Sequence, residues 1–187
     1  MRTKKQNYGK IEVICGGMFS GKTEELIRRM RRAEIARLTI VIYKPKLDTR
    51  FKERQIVSHN KTSMNSILIN ECEVILNDAE KYDVIGIDEA QFFDNSIVEV
   101  CQKLANMNKR VIIAGLDKDF KGNPFGPMPF LMAEADYLDK LRAICTLCGH
   151  SASYSQRITE DIEKVVIGEL DKYEARCRSC FNTPKNI

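Results

Sequence analysis

The chain has 187 residues, 43% of them apolar, enough for one compact domain with a small appendage and a core that needs no disulfides. Its net charge of +4 is too mild to argue for nucleic acid as a partner. No stretch reads as a membrane span or a secretory signal, so the expected compartment is the cytoplasm.

Residues 1–10 are polar and basic and are expected to fray. Residues 11–15 form the first of four short apolar, β-rich runs; the others are 39–43, 84–88 and 111–116. Near-continuous apolar runs of this length suit strands buried on both faces of a parallel sheet. Directly after the first run comes Gly16-Gly17-Met18-Phe19-Ser20-Gly21-Lys22-Thr23, which fits the phosphate-binding pattern G-x-x-x-x-G-K-[ST]. Glycines let the backbone curl its N–H groups toward phosphate oxygens, and the following helix adds the positive end of its dipole. Lys22 is placed to reach the β and γ phosphates of a nucleotide, and the Thr23 hydroxyl to bind Mg²⁺.

The helix predicted from Glu24 carries an apolar stripe of Leu26, Ile27, Met30 and Ala33. Its basic residues Arg28, Arg29, Arg31 and Arg32 are read as a solvated face, because Glu24/Arg28 and Glu25/Arg29 are i,i+4 pairs. A second helix carries Val98, Cys101, Leu104 and Ala105, with Asp94 or Asn95 placed to cap it. Strands alternating with helices indicate a three-layer α/β domain with a mainly parallel sheet. Cys15 and Cys101 read as packing residues. Residues 122–129 hold three of the five prolines and are expected to form a loop at the edge of a ligand site, because ligands bind beyond the C-terminal ends of parallel strands.

The third apolar run ends in Asp88-Glu89. In this position an aspartate serves the Mg²⁺ shell, and a neighbouring glutamate can orient or deprotonate a nucleophile near the γ-phosphate. Water as the nucleophile makes an ATPase; a substrate hydroxyl makes a small-molecule kinase. Helicases commonly need a second lobe for which the chain is too short, which favours the kinase.

Of the seven cysteines, Cys145, Cys148, Cys177 and Cys180 form two C-x-x-C pairs. That spacing suits a tetrahedral Cys₄ zinc site, and four thiolates leave no open position for a catalytic water, so the site is expected to be structural. His150 is read as an ordinary polar loop residue. The segment between the pairs is longer than a zinc ribbon needs and is expected to act as a lid. The division falls near residue 143: an α/β nucleotide-binding body over 1–143 and a zinc-binding unit over 144–187.

Taken together, GGMFSGKT at 16–23, DTR at 48–50, DEAQFF at 88–93, NPFG at 123–126, the two Cys pairs and DKY at 171–173 resemble the cytosolic, zinc-containing class of thymidine kinases over nearly the whole chain. The resemblance implies a P-loop NTPase fold with a small zinc-bearing lasso. It implies transfer of the ATP γ-phosphate to the 5′-hydroxyl of thymidine, with deoxyuridine as a second acceptor. It makes Glu89 the catalytic base. It assigns Gly16, Gly17, Met18, Phe19, Ser20, Gly21, Lys22, Thr23, Asp88 and Gln91 to ATP and its phosphates, and Thr23 and Asp88 to Mg²⁺. It places Met18, Asp48, Arg50, Phe92, Leu116, Phe120, Phe125, Ser155, Val166 and Tyr173 around the nucleoside, with Val166 acting through its main chain. It further implies a homotetramer and feedback inhibition by thymidine triphosphate. Two other readings stay open on the residues alone. One is a zinc-bearing, nucleic-acid-stimulated ATPase; the other is a nucleoside-monophosphate kinase, against which stands a lid holding only Arg157 and Arg176.

Overall fold

The computed structural model describes residues 9–46, 55–57, 63–159 and 172–182. In chain order these form β1 (Lys10–Cys15), α1 (Lys22–Ile35), β2 (Ile40–Pro45), β3 (Gln55–Val57), β4 (Ser63–Asn65), β5 (Ile67–Ile69), α2 (Val74–Asp78) and β6 (Val84–Ile87). There follow α3 (Ser96–Asn106), β7 (Arg110–Gly115), α4 (Met128–Glu134), β8 (Tyr137–Lys140), β9 (Ala143–Ile144), β10 (Ser151–Ala152), β11 (Tyr154–Arg157) and β12 (Tyr173–Arg176). Six strands make one sheet in the order β5-β2-β6-β7-β1-β8. Every pairing in it is parallel, with β1 and β6 both in register on β7.

The alternation of side chains along each strand divides the core in two. Ile14, Ile42, Val84, Ile112 and Ala114 point to one face, where the α1 stripe of Leu26, Ile27, Met30 and Ala33 covers them. Val13, Cys15, Val41, Ile85, Ile87, Val111 and Ile113 point to the other face, against Ile97, Val100, Cys101 and Leu104 of α3 and Met128 and Leu131 of α4. The result is the three-layer α/β body expected, with Cys15 and Cys101 fully buried as packing residues. On α3 the burial favours Ile97 and Val100, while Val98 and Ala105 are only partly covered. Asp94 Oδ1 accepts the Ser96 N–H at 2.9 Å at the start of that helix.

Two expectations need correction. The basic face of α1 is not wholly solvated. Arg29 leaves only 12% of its side chain exposed and bonds Glu25, Glu12 of β1 and Asp139 of β8. Glu12, itself buried, also takes Arg110 at 2.7 Å and Lys10 at 3.1 Å. This network ties α1 to three adjacent strands, a contact that i,i+4 spacing within one helix cannot reveal. The second correction concerns 122–129. The loop gives way to α4 at Met128, because Pro127 and Pro129 fall at the helix start, where a missing N–H costs no hydrogen bond.

Beyond β8 the chain makes two small antiparallel ladders, β9 with β10 and β11 with β12. Among the described residues no helix is long and apolar enough to cross a membrane.

Candidate active site

The loop 16–21 leaves the C-terminal end of β1 and turns back into α1. Its turn uses left-handed backbone at Phe19 (φ 65°) and Gly21 (φ 84°), and at Gly16 a Cβ would sit 2.4 Å from the Leu141 carbonyl oxygen. Ser20 Oγ and Lys22 Nζ both donate to the Gly17 carbonyl at 2.8 Å, which closes the loop on itself. The Met18 N–H donates to Ser155 Oγ at 2.9 Å, fastening β11 onto the loop.

Asp88 and Glu89 directly follow β6, across the sheet edge from this loop. Thr23 Oγ1 lies 3.4 Å from Asp88 Oδ1 and 3.5 Å from Oδ2. Burial, then the charge of Glu89, push the Asp88 carboxyl up to about 7. Burial likewise lowers the pKa of Lys22, against which the carboxylates of Glu89, Asp88 and Asp117 work. Asp117 is buried beside the same edge, and Lys140 Nζ stands 2.7 Å from its Oδ2, an ion pair without hydrogen-bond alignment. Acidic oxygens gathered against one lysine, with a hydroxyl between, form a donor set that suits a hard divalent cation.

Glu89 has left-handed backbone (φ 54°, ψ 40°), a conformation that non-glycine residues adopt mainly where the surroundings impose it. The turn Ala90–Phe92 follows, and within it Gln91 is buried. The Phe92 ring meets Phe125 edge to face at 5.5 Å. Phe125 and Phe120 lie on the loop after β7, and Leu116 begins that loop. The Arg157 guanidinium stacks on Phe120 at 3.6 Å and donates to the Tyr173 hydroxyl at 2.9 Å. Among the expected nucleoside residues, the contacts thus link Met18 to Ser155, Phe92 to Phe125, and Phe120 to Tyr173 through Arg157. Asp48, Arg50 and Val166 lie outside the described residues.

The ligand atoms of Cys145, Cys148, Cys177 and Cys180 all lie within 4.8 Å of one another, and Cys148 Sγ is 3.6 Å from Cys177 Sγ. Tetrahedral Zn–S bonds of about 2.3 Å separate sulfurs by about 3.8 Å, so the cluster fits zinc. None of the four is in a disulfide. Each pair sits on a tight turn: the Gly149 N–H donates to the Cys145 carbonyl at 2.9 Å, and the Phe181 N–H to the Cys177 carbonyl at 3.0 Å. His150 Nδ1 stands 3.4 Å from Cys148 Sγ, closer to the cluster than an ordinary loop residue. Phe19 of the phosphate-type loop packs against the apolar floor of this unit, made by Ala143, Cys145, Ala152, Ala175 and Cys177.

Sequence reasoning missed Asp117 as part of the acidic edge and Arg157 as the link from Phe120 to Tyr173. A charged residue just after an apolar run was the available signal for the first. The second depends on a strand pairing across the chain's late segment, for which no local signal exists.

A glycine-bearing loop and an acidic pair, facing each other across the C-terminal edge of a parallel sheet, define a P-loop nucleotide-binding protein equipped for phosphoryl transfer. A family model described as thymidine kinase matches residues 9–181. The thymidine kinase of Rhodothermus sp. is 55% identical over 177 residues, covering 95% of this chain and 83% of that protein. That of Bacteroides thetaiotaomicron is 56% identical over 173 residues, covering 92% and 87%. The chain belongs to the thymidine kinase family. A more distant likeness in fold is to the genome packaging NTPase B204 of Sulfolobus turreted icosahedral virus 2, with a TM-score of 0.47 at 16% identity, covering 71% of this chain and 73% of that one.

Proposed function

We propose that the protein transfers the γ-phosphate of ATP to the 5′-hydroxyl of thymidine, and to that of deoxyuridine, giving the 5′-monophosphate. The observation that carries this reading is the meeting of Lys22, Thr23, Asp88 and Glu89 at one sheet edge, in a chain of the thymidine kinase family. Glu89 takes the proton of the 5′-hydroxyl as its oxygen attacks the γ-phosphorus; the bond to the β–γ bridging oxygen breaks and ADP leaves. Lys22 and the backbone of residues 16–21 hold the phosphates. Thr23 and Asp88 would hold Mg²⁺, which supplies neutralising charge at the transferring group.

Met18, Phe92, Leu116, Phe120, Phe125 and Tyr173 enclose the sugar and base, with Ser155 at the thymine methyl. Asp48 and Arg50 serve the phosphate and sugar, and the main chain at Val166 reads the base. Phe92 and Phe125, already in mutual contact, offer an apolar wall that resists bulkier bases. The body over 1–143 carries the donor, and the unit over 144–187 carries zinc on Cys145, Cys148, Cys177 and Cys180 and closes over the acceptor. The enzyme works in the cytoplasm as a homotetramer and is inhibited by thymidine triphosphate.

Glu89→Gln tests the reading. The variant should lose about 10²- to 10⁴-fold in kcat with thymidine KM changed only a few-fold. Near-normal turnover would remove Glu89 as the base. Labelled ATP offered with thymidine, thymidine monophosphate or single-stranded DNA should give product with the nucleoside alone; hydrolysis stimulated by DNA would favour the ATPase instead.

A further inference from the structure

Gln91 is the most tightly enclosed polar residue at the acidic edge, only 2% exposed. Both ends of its amide are engaged within the protein. Its Oε1 accepts the Leu116 N–H at 2.9 Å, and its Nε2 donates to Glu89 Oε2 at 2.5 Å. The orientation of the amide follows from the first bond. A backbone N–H can only donate, so the oxygen must face Leu116 and the NH₂ must face Glu89.

The backbone around Gln91 is packed to the limit. A Cβ on Gly126 would stand 2.3 Å from the Gln91 carbonyl oxygen, and one on Gly115 would stand 3.0 Å from Oε1 and 2.5 Å from Met128 Sδ. Gly115 thus leaves the room in which this side chain lies, and Gly126 the room for its backbone. The carboxylate it holds belongs to a residue on left-handed backbone.

We infer that Gln91 is a positioning residue for the catalytic base: it fixes the Glu89 carboxylate against the end of β7 and so aims the free oxygen at the acceptor hydroxyl. This rests on the reading of Glu89 as the base. With its amide committed on both sides, Gln91 acts behind the carboxylate rather than on the ATP phosphates. A group held only through orientation contributes by keeping reacting atoms in line, and loss of that alignment slows the chemical step more than it weakens binding.

Gln91→Glu separates the two bonds. It keeps an oxygen for the Leu116 N–H but replaces the donor facing Glu89 with an acceptor. In the full-length, zinc-loaded protein it should lower kcat about 10- to 100-fold and change thymidine KM less than about threefold. The double variant Glu89→Gln/Gln91→Glu should be no slower than Glu89→Gln alone, because there is no longer a base to aim. Full kcat in Gln91→Glu, or the same fold-loss in both backgrounds, would overturn the inference while leaving Glu89 as the base. A Glu89→Gln variant with normal turnover would overturn the base itself. Should Gln91→Glu not fold, Gln91→Met, of similar length and without a donor, takes its place in the same cycle, with the same criteria.

Discussion

The α/β body encloses its sheet between two layers of Ile, Val, Leu and Met side chains, whereas the unit after β8 rests on Ala143, Cys145, Ala152, Ala175 and Cys177. At about 25 cal/mol per Å² of apolar surface, alanines and cysteines bring little burial energy, so the second region needs another source of stability. Four convergent thiols could supply it by holding a metal, because binding at a site absent from the unfolded chain becomes folding energy. The unit also buries the Arg176–Glu174 ion pair at 2.8 Å, an arrangement that costs desolvation and holds only inside a folded frame. The body has large apolar clusters on both faces of its sheet; the unit has a small one beside a cluster of four thiols. The contrast teaches that Ser155 and Tyr173, which the proposed function sets at the acceptor, stand on the part of the chain with the smallest core.

The largest test of that contrast removes the metal. Replacing Cys145 and Cys148 together by Ser should abolish bound zinc and cut thymidine phosphorylation by at least about 100-fold. The body should still unfold cooperatively in urea while the segment after residue 143 becomes open to protease. A variant that loses zinc yet keeps its activity and its protease resistance would erase the distinction between the two regions.

A smaller effect should come from inside the body. Burial opposes ionisation of Glu12, but Arg110 and Lys10 overcome it and hold the carboxyl at about 2, below its ordinary 4.5. A group so depressed stabilises the fold fully above its unfolded value. That contribution is lost as pH falls from about 4.5 toward about 2. Glu12→Gln leaves Arg29 and Arg110 without their shared carboxylate and should cost about 3–5 kcal/mol in urea unfolding at neutral pH. The variant's stability should also fall less steeply across that acid range than the parent's. An unchanged midpoint would show that the network is not what ties α1 to the sheet.

The smallest effect concerns the joint between the regions. Phe19 lies on the phosphate-type loop and packs on the floor of the cysteine unit. Phe19→Ala should raise the KM for ATP several-fold while zinc stays bound. Its φ of 65° is free for glycine, so Phe19→Gly keeps the backbone shape and removes only the ring. Equal losses in both variants assign the effect to packing. A Gly variant indistinguishable from the parent would show that the ring does not couple the cysteine unit to the phosphate-type loop.

Much of this protein was legible along the chain because the signals are local. Loop 16–23 needs glycines and a lysine at fixed spacing, parallel strands need apolar runs, and metal ligands come in C-x-x-C turns. The family pattern was equally legible, since it is a set of short motifs in fixed order. Observed strand ends differ from the apolar runs by one or two residues, as with β2 at Ile40–Pro45, because pairing rather than hydropathy sets them. What the tertiary structure alone decided are the contacts that join distant segments. Arg29 left its helix face to reach Glu12 and Asp139, Ser155 took the Met18 N–H, and Gln91 came to rest between Glu89 and Leu116. A hydrogen bond between residues far apart leaves no period in the sequence, since its partner is chosen by the topology that folds both into one place.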